Sequence, residues 1–335
     1  MGIVGGGSWG TALAIHCARV GMDINLWVYE KDLARRMSET RENDIYLPGA
    51  ELPGSITVTN DFETCMTGAQ MVMSVVPSHV SRKVWNEAHA YLPVDAILIN
   101  ATKGIEDRSY LTSSGVLAES IGGDIRNRMV TLSGPSFAKE IARGLPAAAV
   151  IAGSNADIAN AVQLDLNSDS FRFYTNTDPV GVEIAASLKN VIAIAVGICD
   201  GLELGYNARA ALITRGLAEL ARLGVVLGAD PLTFQGLAGV GDLVLTCTGD
   251  LSRNRTLGLR LGRGEKLADI TASTPMVAEG VKTTRSARGL ARREGVEMPI
   301  TEEIYDVLYG SGDAMKALKT PMSRSPKKES LEYPL

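Results

Sequence analysis

Directly after the apolar Gly2-Ile3-Val4 stands Gly5-Gly6-Gly7-Ser8-Trp9-Gly10, and the helical pattern Thr11 to Val20 follows at once. Glycines at the offsets G-x-G-x-x-G, between a strand and a helix, constrain the fold more than any other feature of this chain. Gly5 permits a tight turn, Gly7 lets the backbone approach a pyrophosphate, and Gly10 lets helix and strand pack closely. The amino terminus of the helix adds unpaired N–H groups and a field that favours an anion. The turn therefore predicts a parallel βαβ unit with a dinucleotide on it.

The first half keeps that rhythm. Strands are expected at Gly2 to Val4, Ile24 to Val28, Met71 to Val76, Ala96 to Asn100, Met129 to Leu132 and Ala147 to Ala152, with helical spacing between them, as in Ser78 to Tyr91. Met71-Val-Met-Ser-Val-Val76 is apolar at nearly every position, which suits a sheet covered on both faces. After a last strand-like run, Phe171 to Tyr174, long helical patterns take over. Within Arg209 to Gly224, Ile213, Leu217 and Leu220 recur on one face and Arg215, Glu219 and Arg222 on the other. The expected fold is α/β: a doubly wound, Rossmann-type sheet over residues 1–180, joined at Asp178-Pro179 to an all-α domain over 181–330, with 331–335 a frayed tail. Two domains suit 335 residues at roughly 150 per domain.

Composition narrows the partners. With 33 basic against 38 acidic residues the net charge is −5, and no run of five like charges appears, which argues against nucleic acid or an acidic membrane surface. Cys17, Cys65, Cys199 and Cys247 are scattered singly, with no histidine cluster at metal spacing; a reduced cytoplasmic chain without a metal is the simplest expectation. No basic leader precedes the first strand, and charges interrupt each apolar stretch before the roughly 18 residues a membrane span needs, so neither secretion nor membrane insertion is expected. Few residues precede Gly5; the first strand is short or the chain begins late.

The second strand ends Trp27-Val28-Tyr29-Glu30-Lys31. An acid here accepts a ribose 2′-hydroxyl, and a cation receives a 2′-phosphate. Glu30 favours NAD and Lys31 keeps NADP open, so the cofactor is NAD(H) or NADP(H). A dehydrogenase also needs a proton carrier, and of the three histidines only His79 follows the carboxyl end of a strand. Lysines are better placed. Lys103 follows a strand in Ala101-Thr-Lys-Gly104, and Lys189 interrupts the otherwise apolar helical pattern Glu183 to Val196. A buried ammonium is costly unless paired, and burial lowers its pKa toward the range useful for proton transfer. Asp242 and Thr246, four residues apart in an apolar segment after Gly236, Gly239 and Gly241, could hold Lys189. Ser252-Arg253-Asn254-Arg255 reads as a capped helix start that suits a phosphate. A surface lysine, a snorkelling lysine, a helix-capping aspartate and an exposed basic turn are the ordinary alternatives.

Together these segments resemble the bacterial-type NAD(P)-dependent glycerol-3-phosphate dehydrogenases. The likeness runs over nearly the whole chain through Gly5-Gly-Gly-Ser-Trp-Gly-Thr-Ala12, Val75-Val-Pro-Ser-His79, Ala101-Thr-Lys-Gly104, Ser133-Gly-Pro-Ser-Phe-Ala-Lys-Glu140, Leu188-Lys-Asn-Val191, Asn207 to Gly216, Gly239-Val-Gly-Asp-Leu-Val-Leu-Thr-Cys-Thr248, Ser252-Arg-Asn-Arg255 and Val296-Glu-Met-Pro-Ile-Thr-Glu302. The resemblance implies interconversion of dihydroxyacetone phosphate and sn-glycerol 3-phosphate, as a supply for glycerophospholipid synthesis. It implies Lys189 as proton carrier, Lys103 shared by cofactor and substrate, and Asp242 and Thr246 as residues that orient the lysines. Gly134 and Ser136 would line the substrate site, with Ser252, Arg253 and Asn254 around its phosphate. Ser8, Trp9, Tyr29, Ala138, Arg253, Val277 and Glu279 join the glycines on the cofactor side. Tyr29 stands where many relatives carry a base, which weakens any preference for a 2′-phosphate. The partner is then a small phosphorylated substrate, and the apolar helical half suits a homodimer. Another two-domain dehydrogenase, or a non-catalytic NAD(H) sensor, is the competing reading.

Overall fold

A computed structural model describes residues 1–273, 278–310, 312 and 314–315. The chain forms two compact units, Met1–Thr102 with Ser113–Pro179, and Lys103–Thr112 with Val180–Leu335. The first holds ten strands: β1 Gly2–Val4, β2 Ile24–Trp27, β3 Glu42–Asn43, β4 Leu47–Glu51, β5 Ile56–Thr59, β6 Met71–Ser74, β7 Ile97–Asn100, β8 Met129–Ser133, β9 Ala147–Ala152 and β10 Phe171–Asn176. Eight form one sheet in the order β10-β9-β8-β7-β6-β1-β2-β5. Neighbours run parallel except β8 and β9, which are antiparallel. Strand order reverses at β1, flanked by β2 and β6, and the glycine loop follows β1 at that switch point.

Alternating side chains of each central strand enter opposite cores. Ile3, Met73 and Ile99 pack with Leu13 and Leu26 on one face, while Val4, Val72 and Leu98 pack with Trp85 on the other. This two-sided burial is why these strands read as unbroken apolar runs. Three strands lie outside the sequence expectation. β3 is minimal, β4 contains Pro48 and Gly49, both poor strand formers, and β5, Ile56-Thr-Val-Thr59, carries a β-branched run at the sheet edge that was legible.

The second unit is helical, centred on the helix Pro179–Gly201, whose residues Gly181 to Cys199 are all buried. Among the described residues this is the one helix long and apolar enough to cross a membrane, so Lys189 does not interrupt the stretch as the sequence reading assumed. Its apolar window is wholly buried inside the fold, as in a core helix. Lys103–Thr112 departs from a single boundary near residue 180, because Ile105 joins the helical core and the Gly104 N–H donates to Ser187 Oγ at 3.0 Å. Helix Arg253–Gly262 lies directly on Pro179–Gly201. A Cβ at Gly197 or Gly201 would overlap the carbonyl oxygens of Arg255 and Leu259, and one at Gly258 or Gly262 those of Ile194 and Ile198. Two G-x-x-x-G pairs thus bring backbone against backbone and fix the Ser252–Arg255 turn beside the helix that carries Lys189.

Candidate functional site

In the helical unit the structure brings together residues distant in sequence. Lys103 Nζ donates to Asp242 Oδ2 at 3.2 Å, and Lys189 Nζ pairs with the other oxygen, Oδ1. The Thr246 hydroxyl donates to the Asp242 carbonyl at 2.6 Å and stands 3.3 Å from Oδ1. One carboxylate is therefore shared by two ammoniums. Asp242 is 1% exposed, Lys189 7% and Lys103 19%, so neither Lys189 nor its partner reaches bulk water. Snorkelling is excluded for Lys189. Burial lowers its pKa from 10.5 to about 7; Asp242 opposes the shift, and the like charge of Lys103 adds to it.

Local backbone explains Asp242. The segment Leu237–Gly241 is a π-helical turn, closed by Gly241 N–H to Gly236 O at 3.2 Å, and it runs into helix Asp242–Thr248. Such turns recur at functional sites because they re-aim the next side chain. Asp242 here lies at the head of its helix yet is engaged by lysines, not by backbone caps.

The Ser252–Arg255 turn divides by role. Ser252 Oγ accepts from Arg255 N–H at 3.3 Å, capping helix Arg253–Gly262. Asn254 donates from Nδ2 to Asn190 Oδ1 at 2.9 Å and accepts at Oδ1 from Gly280 N–H at 2.9 Å, so its amide ties three helices together. Arg255 is engaged with Asp200 at 2.8 Å and Asp250 at 3.0 Å. Arg253, by contrast, makes no such pair among the described residues and presents surface to solvent; desolvation of its guanidinium lowers its pKa, and the charge of Glu279, the first residue of helix Glu279–Arg293, opposes that shift. The sequence reading singled out Arg253 for the phosphate, but it revealed neither the Asp200 partner of Arg255 nor the Asn190–Asn254–Gly280 chain.

The sheet unit carries the remaining candidates. Gly5 has φ +126°, and a Cβ there would lie 2.8 Å from the Val75 carbonyl; a Cβ at Gly10 would overlap Gly5 O. Gly7 is different: a Cβ there meets nothing within 4 Å. The fold demands Gly5 and Gly10, while the space over Gly7 is open to a ligand. Gly7 caps helix Ser8–Arg19 without a side-chain acceptor, and Trp9 Nε1 is buried without a hydrogen-bond partner among the described residues. An uncapped helix start with an orphaned donor beside it fits the pyrophosphate of a dinucleotide. Tyr29 is 68% exposed just beyond β2. Gly134, at φ +148°, has no room for a Cβ against Ala149, and Ser136 Oγ donates to Gly134 O at 2.9 Å. Ala138 opens the helix Ala138–Ala142. His79 is exposed, and Val277 lies outside the described residues.

Residues 1–159 match the family described as NAD-dependent glycerol-3-phosphate dehydrogenase N-terminus, and 178–319 match its C-terminus. The chain is 51% identical over 329 residues to a glycerol-3-phosphate dehydrogenase (NAD(P)+) of Syntrophobacter fumaroxidans, covering 98% of this chain and 97% of that one. It is 52% identical over 329 residues to that of Geobacter sulfurreducens, covering 98% of each. A crystal structure of glycerol-3-phosphate dehydrogenase from Coxiella burnetii superposes with a TM-score of 0.92 at 38% identity, over 96% of this chain and 98% of that one.

Proposed function

Because the chain belongs to the NAD-dependent glycerol-3-phosphate dehydrogenase family, and so interconverts dihydroxyacetone phosphate and sn-glycerol 3-phosphate with NAD(H) or NADP(H), we propose which of its residues carry that reaction. Family membership sets aside a non-catalytic sensor and other dehydrogenases. The observation that carries the assignment is the buried Lys189, paired with Asp242 Oδ1 and placed near Lys103 through that shared carboxylate.

A nicotinamide cofactor held at the glycine loop would supply or accept hydride at C2 of the substrate. Lys189 gives a proton to the C2 oxygen in reduction and takes it back in oxidation. A pKa near ambient pH makes the amine competent in both directions. Asp242 keeps the two ammoniums in place, Thr246 fixes Asp242, and Lys103, the more exposed of the two, extends positive charge toward the substrate oxygen. Arg253 and the positive end of helix Arg253–Gly262 bind the substrate phosphate, with Asn254 as a brace and Ser252 as the cap. Phosphate binding, remote from the reacting carbon, then serves to orient C2. Gly134 and Ser136 complete the substrate contacts. On the cofactor side Gly5, Gly7, Ser8, Trp9 and Gly10 hold the pyrophosphate, joined by Tyr29, Ala138, Lys103, Arg253 and Glu279. A homodimer through the apolar helical unit belongs to the same reading. The same reading makes the chain a cytoplasmic source of glycerol 3-phosphate for glycerophospholipids, without nucleic-acid or membrane partners.

Two outcomes follow. Reduction uses the ammonium of Lys189, so kcat/KM for dihydroxyacetone phosphate should fall as pH rises through about 7; oxidation uses the neutral amine and should rise over the same interval. Parallel profiles in both directions would remove Lys189 from the role. Gly7→Val should leave the melting temperature of the free protein nearly unchanged, since the new side chain meets open space, while weakening NADH binding about tenfold or more by calorimetry. Undiminished NADH binding would detach the loop from the cofactor.

A further inference from the structure

The β3–β4 segment had no counterpart in the sequence expectation, yet its side chains reach both elements that face the cofactor. Asn43, fully buried, donates from Nδ2 to the Gly6 carbonyl at 2.9 Å and to the Thr11 hydroxyl at 2.8 Å. Its Oδ1 accepts from the Tyr46 N–H at 3.0 Å. The Tyr46 hydroxyl in turn donates to Glu30 Oε1 at 2.8 Å. One short segment thus links the glycine loop to the carboxylate at the end of β2, which is itself fixed by Asn60 Nδ2 donating to the carbonyls of Val28 and Tyr29 at 2.6 and 2.7 Å.

Three cations that could receive a 2′-phosphate nearby are engaged elsewhere. Arg35 pairs with Glu39 at 3.3 Å, and Arg36 makes two contacts to Asp44 at 3.1 and 3.2 Å. Arg41 donates to the carbonyls of Leu52, Pro53 and Ile56. Lys31 is exposed, like Glu30. A carboxylate oriented by a tyrosine hydroxyl is the better defined feature. We propose that Tyr46 is a specificity-determining positioning residue: it holds Glu30 so that the adenosine-ribose 2′-hydroxyl of NAD(H) meets an acceptor, whereas the 2′-phosphate of NADP(H) meets negative charge. Burial, and after it the Glu30 carboxylate, raise the Tyr46 phenol above its ordinary pKa, so it stays a donor throughout the working range. The inference rests on the reading that the glycine loop holds the dinucleotide.

Calorimetric binding of NADH and of NADPH to the full chain tests it, with the melting temperature of each ligand-free variant as a check on folding. The wild type should bind NADH about tenfold or more tightly than NADPH, and Glu30→Gln should bring the two near parity. Tyr46→Phe, a change at an exposed hydrogen bond, should narrow the ratio about threefold to tenfold with the melting temperature unchanged. A wild type that prefers NADPH, or a Tyr46→Phe ratio equal to that of the wild type, would overturn the proposal. Gly7→Val separates the two levels. If it binds NADH normally, the loop reading itself fails; if it loses NADH while Tyr46→Phe keeps the wild-type ratio, only the role of Tyr46 falls.

Discussion

Lys189→Met is expected to lower kcat for dihydroxyacetone phosphate reduction about a hundredfold to ten-thousandfold, the usual span for removing a general acid. Methionine keeps the length and apolar stem of lysine inside a helix that is buried from Gly181 to Cys199. It also leaves Asp242 paired with Lys103, so no lone charge is stranded. The fold should survive, and NADH affinity should stay near that of the wild type, because Lys189 is not among the residues assigned to the cofactor. Steady-state kinetics with calorimetric NADH binding distinguish these effects. Loss of both together would indicate misfolding instead of a missing proton donor, and a kcat within a few-fold of the wild type would discard the assignment.

The second large effect concerns the two arginines of the Ser252–Arg255 turn. Arg253→Ala should raise KM for dihydroxyacetone phosphate about tenfold to a hundredfold, the cost of losing charge-assisted contacts to a phosphate, with the melting temperature little changed. Arg255→Ala should do the reverse. Arg255 is paired with Asp200, which is 7% exposed and also bound by Arg209. Removing it leaves that carboxylate half compensated and should cost about 1–3 kcal/mol of stability in urea unfolding, with a smaller effect on KM. Equal KM effects from both substitutions would show that the turn does not discriminate as its ion pairs suggest.

What the sequence could say depended on whether the physics was local. The glycine loop and the central strands were legible because spacing and two-sided apolarity are properties of contiguous residues. Lys189 stood out because an ammonium within an apolar helical pattern needs a partner. That its partner carboxylate is shared with Lys103 was implied only by the family resemblance and not by spacing, since a loop and two helices meet only in the folded unit. Asp200, which engages Arg255 and leaves Arg253 exposed, is likewise a tertiary fact. The pairs Gly197/Gly201 and Gly258/Gly262 were visible as spacings, but only packing reveals that they face each other. Asn43 and Tyr46 escaped notice because they lie in a segment with little strand propensity and act through hydrogen bonds to remote residues.

The decisive measurement is a single-turnover trace: enzyme loaded with NADH is mixed with saturating dihydroxyacetone phosphate, and NADH absorbance is followed across a pH series for the wild type and Lys189→Met. If Lys189 carries the proton, the wild-type rate falls as pH rises through about 7, while the residual rate of the variant is low and lacks that step. A variant that retained the wild-type rate, or showed the same fall with pH, would contradict the role given to Lys189.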